Sequence, residues 1–275
     1  MATELLLLVP LGFAVAAYGT VIGAGGGFVL VPALLLLYPD YGPEKVTSIS
    51  LAVIFANATS GSVAYARQQR IDYRTGLLFA GSSLPGVVGG ALLVQVIPTS
   101  VFSVLFSVVI IALAAFSLRG PPQAIQRPRT GRGMMVRTIR LPDGRTYRYS
   151  YRVWQGVLLS LGVGFVSSLF GIGGGLIHVP AMILWIRMPV HFAVATSHFI
   201  LALMSGGATA LHLGTGTLAG HQLAQAAALG VGAVPGAQAG AFVAQRLRGR
   251  TIRTLLVVAL VVLAARLLVK GVAGV

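Results

Sequence analysis

Residues 23–32 read Gly-Ala-Gly-Gly-Gly-Phe-Val-Leu-Val-Pro, and residues 171–180 read Gly-Ile-Gly-Gly-Gly-Leu-Ile-His-Val-Pro. The second stretch follows 148 positions after the first and keeps the glycine run and the Val-Pro pair. Glycine is costly inside a helix, and both runs lie in apolar sequence. Each run is therefore predicted to end one apolar helix and to begin another, which leaves backbone groups free near the membrane interior.

The composition is that of a polytopic membrane protein that lies in the lipid bilayer. Of the 275 residues, 56% are hydrophobic and 9% are charged, and the mean hydropathy is +0.88. A soluble domain does not need so much apolar surface. The chain has no cysteine, which excludes disulfides and Cys-ligated metals. The net charge of +15 lies between apolar segments, so it indicates cytoplasmic loops and not a nucleic-acid partner.

Apolar segments occur in two sets of five, separated by a polar linker. They are predicted at about 5–22, 27–38, 46–66, 75–97 and 100–118, and then at about 153–170, 175–186, 192–213, 221–245 and 252–270. Most segments are long enough to span a bilayer, which takes about 20 residues. The segments that follow the glycines are too short, and they suit broken or re-entrant helices.

The two sets match beyond the glycines, because Thr47-Ser48 corresponds to Thr196-Ser197 and Pro85-Gly86 corresponds to Pro235-Gly236. Self-similarity of this kind indicates one structural unit per half. The sequence thus predicts a first transmembrane repeat at 1–118, an arginine-rich linker at 119–152 and a second repeat at 153–275. The fold class is an all-α polytopic membrane protein, with a small β-hairpin in the linker.

Loop charges predict that the second repeat is inverted. The loop 67–74 carries three arginines while its counterpart, 214–220, carries no Lys, Arg, Asp or Glu. The bias reverses again at the junction 97–99, which is neutral, and at its counterpart 246–253, which holds four arginines. By the positive-inside rule the two repeats have opposite orientations, with both termini outside and the linker in the cytoplasm.

The linker contains nine arginines and a single acidic residue. Alternating residues on either side of Pro142-Asp143-Gly144 predict a β-hairpin. A solvated basic loop is the plainer interpretation of the same residues. Anionic lipid head groups or a partner subunit are candidate contacts for this hairpin.

The spans offer little for catalysis or for a cofactor, and no enzyme activity is expected. No serine has a plausible triad around it, and no Asp or Glu lies within an apolar segment. Five histidines in the second half leave open a metal carrier or a membrane metalloenzyme; they are His178, His191, His198, His212 and His221. The carboxylates that usually complete such sites are missing.

Neutral polar residues recur at helical spacing in the third segment of each half, which predicts one polar face on each helix. These residues are Ser50, Asn57 and Ser60 in one half and His198, Ser205, Thr209 and His212 in the other. Packing between helices is the structural interpretation of the hydroxyls. An amide or imidazole in a span indicates a cavity or a pair.

The functional interpretation is a mid-membrane site for a small anion. Two helix starts that meet across a pseudo-two-fold axis present free N–H groups and positive dipole ends. The predicted site comprises Gly25, Gly26, Gly27, Ser50, Asn57, Gly173, Gly174, Gly175, Thr196, Ser197, His198 and Ser205.

This assignment has mutational consequences. Valine at Gly26 or Gly174 is expected to block the ligand and to force an unsuitable backbone angle. Transport is expected to fall far more than for the same change at Gly120, in the linker. Substrate affinity is expected to survive the joint replacement of Arg137, Arg140 and Arg148.

The paired glycine hairpins, the Thr-Ser pairs, Asn57 and Ile71-Asp72 resemble the sulfite exporter TauE/SafE family. The resemblance covers nearly the whole chain outside 119–152. It implies a transporter of sulfur-containing anions, such as sulfite or organosulfonates, in the bacterial inner membrane. It leaves open the anion, the direction, the ion coupling and a homodimer. A membrane anchor that presents the basic hairpin is a third hypothesis, and it predicts that replacing the glycines leaves function intact.

Overall fold

The computed structural model describes residues 2–118, 131–140, 144 and 146–272. Within them the chain forms ten helices, a π-helical turn and one β-hairpin. In chain order these are α1 (Ala2–Ile22), α2 (Gly27–Leu37), α3 (Pro43–Arg67), α4 (Tyr73–Leu93), α5 (Thr99–Leu118), β1 (Met134–Arg140), β2 (Thr146–Arg152), α6 (Val153–Phe170), α7 (Gly175–Ala181) with its π-helical turn (Met182–Ile186), α8 (Val190–Gly214), α9 (Gly220–Arg246) and α10 (Gly249–Val272). The predicted turn residues Pro142 and Asp143, and Gly120, lie outside the described residues.

Seven helices in the described part are long and apolar enough to cross a membrane, which confirms the predicted all-α multi-pass fold. They are α1, α3, α4, α5, α6, α8 and α9. The helices that follow the glycines are short, as predicted. α2 has 11 residues, and α7 has seven residues before it relaxes into the π-helical turn.

Helices of the two halves pack in pairs. α1 runs along α9, and α4 runs along α6, while α3 and α8 pack against each other between these pairs. α5 packs against α10. Each pair therefore combines one helix from the first half with one helix from the second half.

Rows of glycines set the close approach in two of these pairs. On α9, the Cα atoms of Gly232, Gly236 and Gly240 face carbonyls of α1, and a Cβ atom at any of them would collide with that backbone. On α4, Gly86 and Gly90 face α6 carbonyls in the same way. Small residues at intervals of four allow membrane helices to pack backbone against backbone.

The linker forms the predicted antiparallel hairpin, in which Arg137 pairs with Tyr149 and Met135 pairs with Tyr151. Tyr149 and Tyr151 are buried, while Arg148, next to Tyr149, is exposed. Side chains alternate between the two faces of a strand. One face of the hairpin is therefore docked on the helices, so the alternative of a solvated loop is wrong for these strands.

Gly86→Ala should destabilise the protein, because its new methyl group meets the Leu161 carbonyl of α6 with no room to move. Overpacking costs about 1–3 kcal/mol. This cost exceeds the roughly 0.5–1 kcal/mol that alanine gains over glycine in a helix. The midpoint of thermal unfolding in detergent should therefore fall.

Gly81→Ala, on the same helix, is the matched control. Nothing lies within 4 Å of the position of its Cβ atom. Its unfolding midpoint should stay unchanged or rise slightly. Equal midpoints for the two variants would show that the α4–α6 contact is not set by glycine.

Candidate functional site

The two glycine loops interrupt α1–α2 and α6–α7 with backbone angles that favour glycine. In the first loop the φ angles of Gly23, Gly25 and Gly26 are 79°, 76° and 86°. In the second loop those of Gly171 and Gly173 are 62° and 73°. Other residues rarely adopt such angles, because the Cβ atom would crowd the backbone. The prediction that the glycine runs end one helix and begin another is confirmed.

Gly174 differs from its counterpart Gly26, since its φ is −62°. The expectation that valine forces an unsuitable backbone angle is therefore wrong at Gly174. Crowding limits this position instead, since a Cβ atom would lie 2.9 Å from Cε of Met204 and 3.1 Å from Nδ1 of His178.

The tips of the two loops touch. Gly27, at the start of α2, lies against the carbonyl of Gly171, and Gly175, at the start of α7, lies against the carbonyl of Gly23. The contact is reciprocal, because the first helix residue of each loop meets the first glycine of the other. A Cβ atom at either position would collide with that carbonyl.

Two apolar side chains close the junction between the loops. Ile54 from α3 and Leu201 from α8 both reach the positions that Cβ atoms would take on Gly25 and Gly173. Ile54 and Leu201 are fully buried. Access of a ligand to the loop tips therefore requires these side chains, or the helices that carry them, to move.

Two predicted serines hold the loops across the halves. Ser50 Oγ of α3 donates to the Gly171 carbonyl at 2.6 Å. Ser197 Oγ of α8 donates to the Gly23 carbonyl at 3.1 Å. Each half thus supplies the hydroxyl that satisfies the first glycine carbonyl in the loop of the other half.

Asn57 and His198 belong to one buried hydrogen-bond chain that ends on the first loop. Asn57 Nδ2 donates to the Gly25 carbonyl at 2.8 Å, and Thr20 Oγ1 donates to Asn57 Oδ1 at 2.7 Å. His198 Nε2 lies 3.2 Å from Thr20 Oγ1. Since the one hydroxyl hydrogen of Thr20 goes to Asn57, the hydrogen of this last contact comes from Nε2.

Thr20 was not among the predicted residues, although it joins Asn57 to His198. It lies in the last turn of α1, directly before the first glycine loop. A lone threonine in an apolar run has no periodic pattern around it. Its position three residues before Gly23 was the only available signal.

Two of the predicted site residues form their hydrogen bonds away from the glycine loops. Thr196 Oγ1 accepts from the backbone N–H of Asp72 at 3.0 Å, close to the start of α8. Ser205 Oγ donates to the Leu201 carbonyl of its own helix at 2.5 Å. Neither side chain has a hydrogen bond to a glycine loop, so Ser205 has the packing role that the sequence left open.

The first N–H groups of α2 and α7 have no side-chain partner at the helix start. Gly26 and Gly174 are the N-cap residues, and neither helix has a side-chain cap. The first N–H groups of a helix have no partner inside it, and they carry the positive end of its dipole. An anion is the ligand that such a pair of helix starts attracts.

The histidines are dispersed. His178 Nε2 lies 3.2 Å from Ser160 Oγ, His191 lies beside Arg70, and His221 lies beside Glu4. No group of three His, Cys, Asp or Glu that could hold a metal occurs in the described part of the chain. The metal alternative therefore has no geometric support among those residues.

Asp72 was noted in the sequence only as part of the Ile71-Asp72 motif that resembles the family, with no role assigned to it. Its carboxylate is fully buried and receives Arg137 Nη2 at 2.8 Å and Arg137 Nε at 3.0 Å. The Tyr149 hydroxyl and Thr75 also donate to it. Burial raises the pKa of Asp72, but the hydrogen bonds from Arg137 and Tyr149 and the charge of Arg137 outweigh burial and hold this pKa below its ordinary value. The pair is therefore ionised at neutral pH.

Comparison with known proteins places this chain in a family. The family model described as "Sulfite exporter TauE/SafE" matches residues 8–267. The "Probable membrane transporter protein YunE" of Bacillus subtilis (strain 168) is 33% identical over 274 residues, which cover 97% of this chain and 98% of that protein.

More distant relatives carry the same description. The "Probable membrane transporter protein MJ0441" of Methanocaldococcus jannaschii is 29% identical over 78% of this chain and 76% of its own length. A "Probable membrane transporter protein" of Xylella fastidiosa (strain 9a5c) is 25% identical over 64% of this chain and 61% of its own length. No solved structure matches the chain significantly. The family match spans nearly the whole sequence, and the chain belongs to the sulfite exporter TauE/SafE family.

Proposed function

We propose that this protein is a secondary transporter that exports small sulfur-containing anions, such as sulfite or organosulfonates, across the bacterial inner membrane. The observation that carries the proposal is the reciprocal contact between the two glycine loops, each tied to a serine of the other half. Membership of a transporter family supports it at the level of the class.

The chemistry of the loops favours an anion over a cation. Two helix starts lie at the junction with Asn57, whose amide nitrogen gives one of its two hydrogens to the Gly25 carbonyl, while the ring N–H of His198 is taken by Thr20. The acidic residues Glu4, Asp40, Glu44 and Asp72 lie in loops or at helix starts, and Asp143 lies outside the described residues. Neutral donors bind an anion weakly enough to release it, as transport requires.

Alternating access between two inverted repeats is the mechanism that we propose. The helix packing supports this mechanism. α1 packs against α9, and its counterpart in the second half, α6, packs against α4, the counterpart of α9. The glycine rows of α4 and α9 support it as well, since Gly86 and Gly90 correspond to Gly236 and Gly240. In this mechanism the closure that Ile54 and Leu201 form over the loop tips opens toward one side at a time.

Valine at Gly26 should abolish most transport of sulfite in proteoliposomes. The φ of 86° is unsuitable for a β-branched residue, and the Cβ atom would lie 2.7 Å from Cγ1 of Val15. Gly162→Val is the control, because nothing lies within 4 Å of its Cβ position. Gly120, the comparison position chosen from the sequence, lies outside the described residues. Flux that survives Gly26→Val would favour the anchor hypothesis.

Asn57→Ala should weaken anion binding by about 1–3 kcal/mol, or roughly 5- to 150-fold in Kd, the usual cost of losing a hydrogen bond to a charged group. Ser205→Ala is the matched control, because Ser205 bonds only its own helix. Thermal shifts of the purified protein with sulfite, organosulfonates and cations measure the effect. A selective response to a cation, or equal losses in the two variants, would contradict the anion site.

Export should be driven by the membrane potential without obligatory sodium. An anion that leaves a negative interior gains about 2.3 kcal/mol per charge per 100 mV, which is roughly fiftyfold for a monovalent ion. Sulfite flux in proteoliposomes should therefore follow a potential set by potassium and valinomycin. Flux that vanishes at a clamped potential when the sodium or proton gradient is removed would refute uncoupled export.

A further inference from the structure

The linker hairpin has a docked face and an exposed face. Its register places Arg137 beside Tyr149 and Met135 beside Tyr151 on the same face. Tyr149 and Tyr151 are only 4% and 6% exposed. Arg148, on the opposite face of the same strand, is exposed. The hairpin is therefore an amphipathic element whose aromatic side belongs to the fold.

The docked face contacts helices of both halves. The Tyr151 ring meets the Phe79 ring of α4 edge-on, with centroids 5.7 Å apart. The Tyr147 ring lies 6.4 Å from the Phe192 ring in the first turn of α8. The hairpin therefore lies across the seam between α4, from the first half, and α8, from the second half.

Asp72 lies at this seam and forms hydrogen bonds with the elements around it. Its carboxylate binds Arg137 and Tyr149 of the hairpin, while its backbone N–H donates to Thr196 Oγ1 of α8 at 3.0 Å. It also caps α4, since its carboxylate accepts from the Thr75 N–H at 3.3 Å. One residue thus joins the hairpin to the starts of both helices.

A path from this end of the molecule to the glycine loops would pass between elements that the hairpin joins. Opening such a path requires the start of α4 and the start of α8 to separate. Because Asp72 holds hydrogen bonds to α8 and to the hairpin, this separation strains both sets of contacts. The ion pair has its carboxylate fully buried, so solvent screens it little.

We propose that the linker hairpin is a latch that keeps the predicted cytoplasmic end closed, and that the Arg137–Asp72 ion pair must break before this end opens. The physiological role of the latch rests on the proposed transport function. The closure itself is a property of the fold and does not depend on which anion is carried.

The absence of native cysteine allows a direct test in the full chain. Ala195, beside Thr196 in α8, is fully buried and becomes the reporter as Ala195→Cys. A membrane-impermeant maleimide is applied to each side of oriented vesicles without substrate, and the labelling rate is measured. Asn is a good N-cap residue, so Asp72→Asn removes the charge while leaving the cap of α4.

Asp72→Asn should raise the rate of labelling from the hairpin side at least tenfold, and Arg137→Gln should do the same. The double variant should label no faster than the faster single variant, because both changes break one contact. Arg148→Gln, on the exposed face of the hairpin, should leave the rate unchanged.

A second reporter cysteine distinguishes local opening at the hairpin from a general loosening of the helix packing. Ala233→Cys, fully buried in α9, should stay unreactive in every background. Equal rates for Asp72→Asn and Arg148→Gln would overturn the latch, and so would a parallel rise at both reporters. The measurement contains no sulfite, so its failure is distinguishable from a failure of sulfite transport.

Discussion

The structure depends on the hydrogen bonds of backbone groups that two broken helices release within the membrane. Hydrocarbon offers no water to such groups, and an unsatisfied carbonyl there costs several kcal/mol. The chain satisfies them with side chains from other helices. Ser197 bonds the Gly23 carbonyl, Asn57 bonds the Gly25 carbonyl and Ser50 bonds the Gly171 carbonyl. Because two of these three bonds cross between the halves, neither half completes its own loop.

The loops need glycine for two separate reasons. At Gly25 and Gly173 the backbone angle favours glycine, while at Gly27 and Gly175 the opposing carbonyl leaves no space for a Cβ atom. Only a chain without side chains at these positions brings two helix starts so close together. The resulting donors belong to the backbone, so the proposed anion would bind there without a fixed positive charge that would hold it.

The sequence predicted the features that repeat along the chain. Apolar length predicted the spans, duplicated glycines predicted the breaks, and alternation around Asp143-Gly144 predicted the hairpin. Residues whose role depends on a distant partner escaped it, since nothing near Thr20 or Asp72 in sequence indicates a contact with Asn57 or Arg137. Periodicity also grouped Ser205 with Asn57, although a hydroxyl on a polar face can equally bond its own helix.

The two ends of the molecule differ in their electrostatics. α3 has 25 residues and is therefore about 37 Å long, and it separates the Asp72 cluster from a second cluster around Glu4. There Glu4 accepts from the Tyr38 hydroxyl at 2.7 Å and lies 3.4 Å from His221 Nε2, but its side chain is 37% exposed.

Exposed pairs of this kind are screened by salt and contribute little, whereas a buried carboxylate that loses its partner is strongly destabilised. A perfect two-fold arrangement would make the two ends equivalent. The linker occurs once, so its hairpin adds contacts at one end only, and the resting protein should favour closure at that end. The asymmetry between the two ends thus lies in the linker and not in the repeated helices.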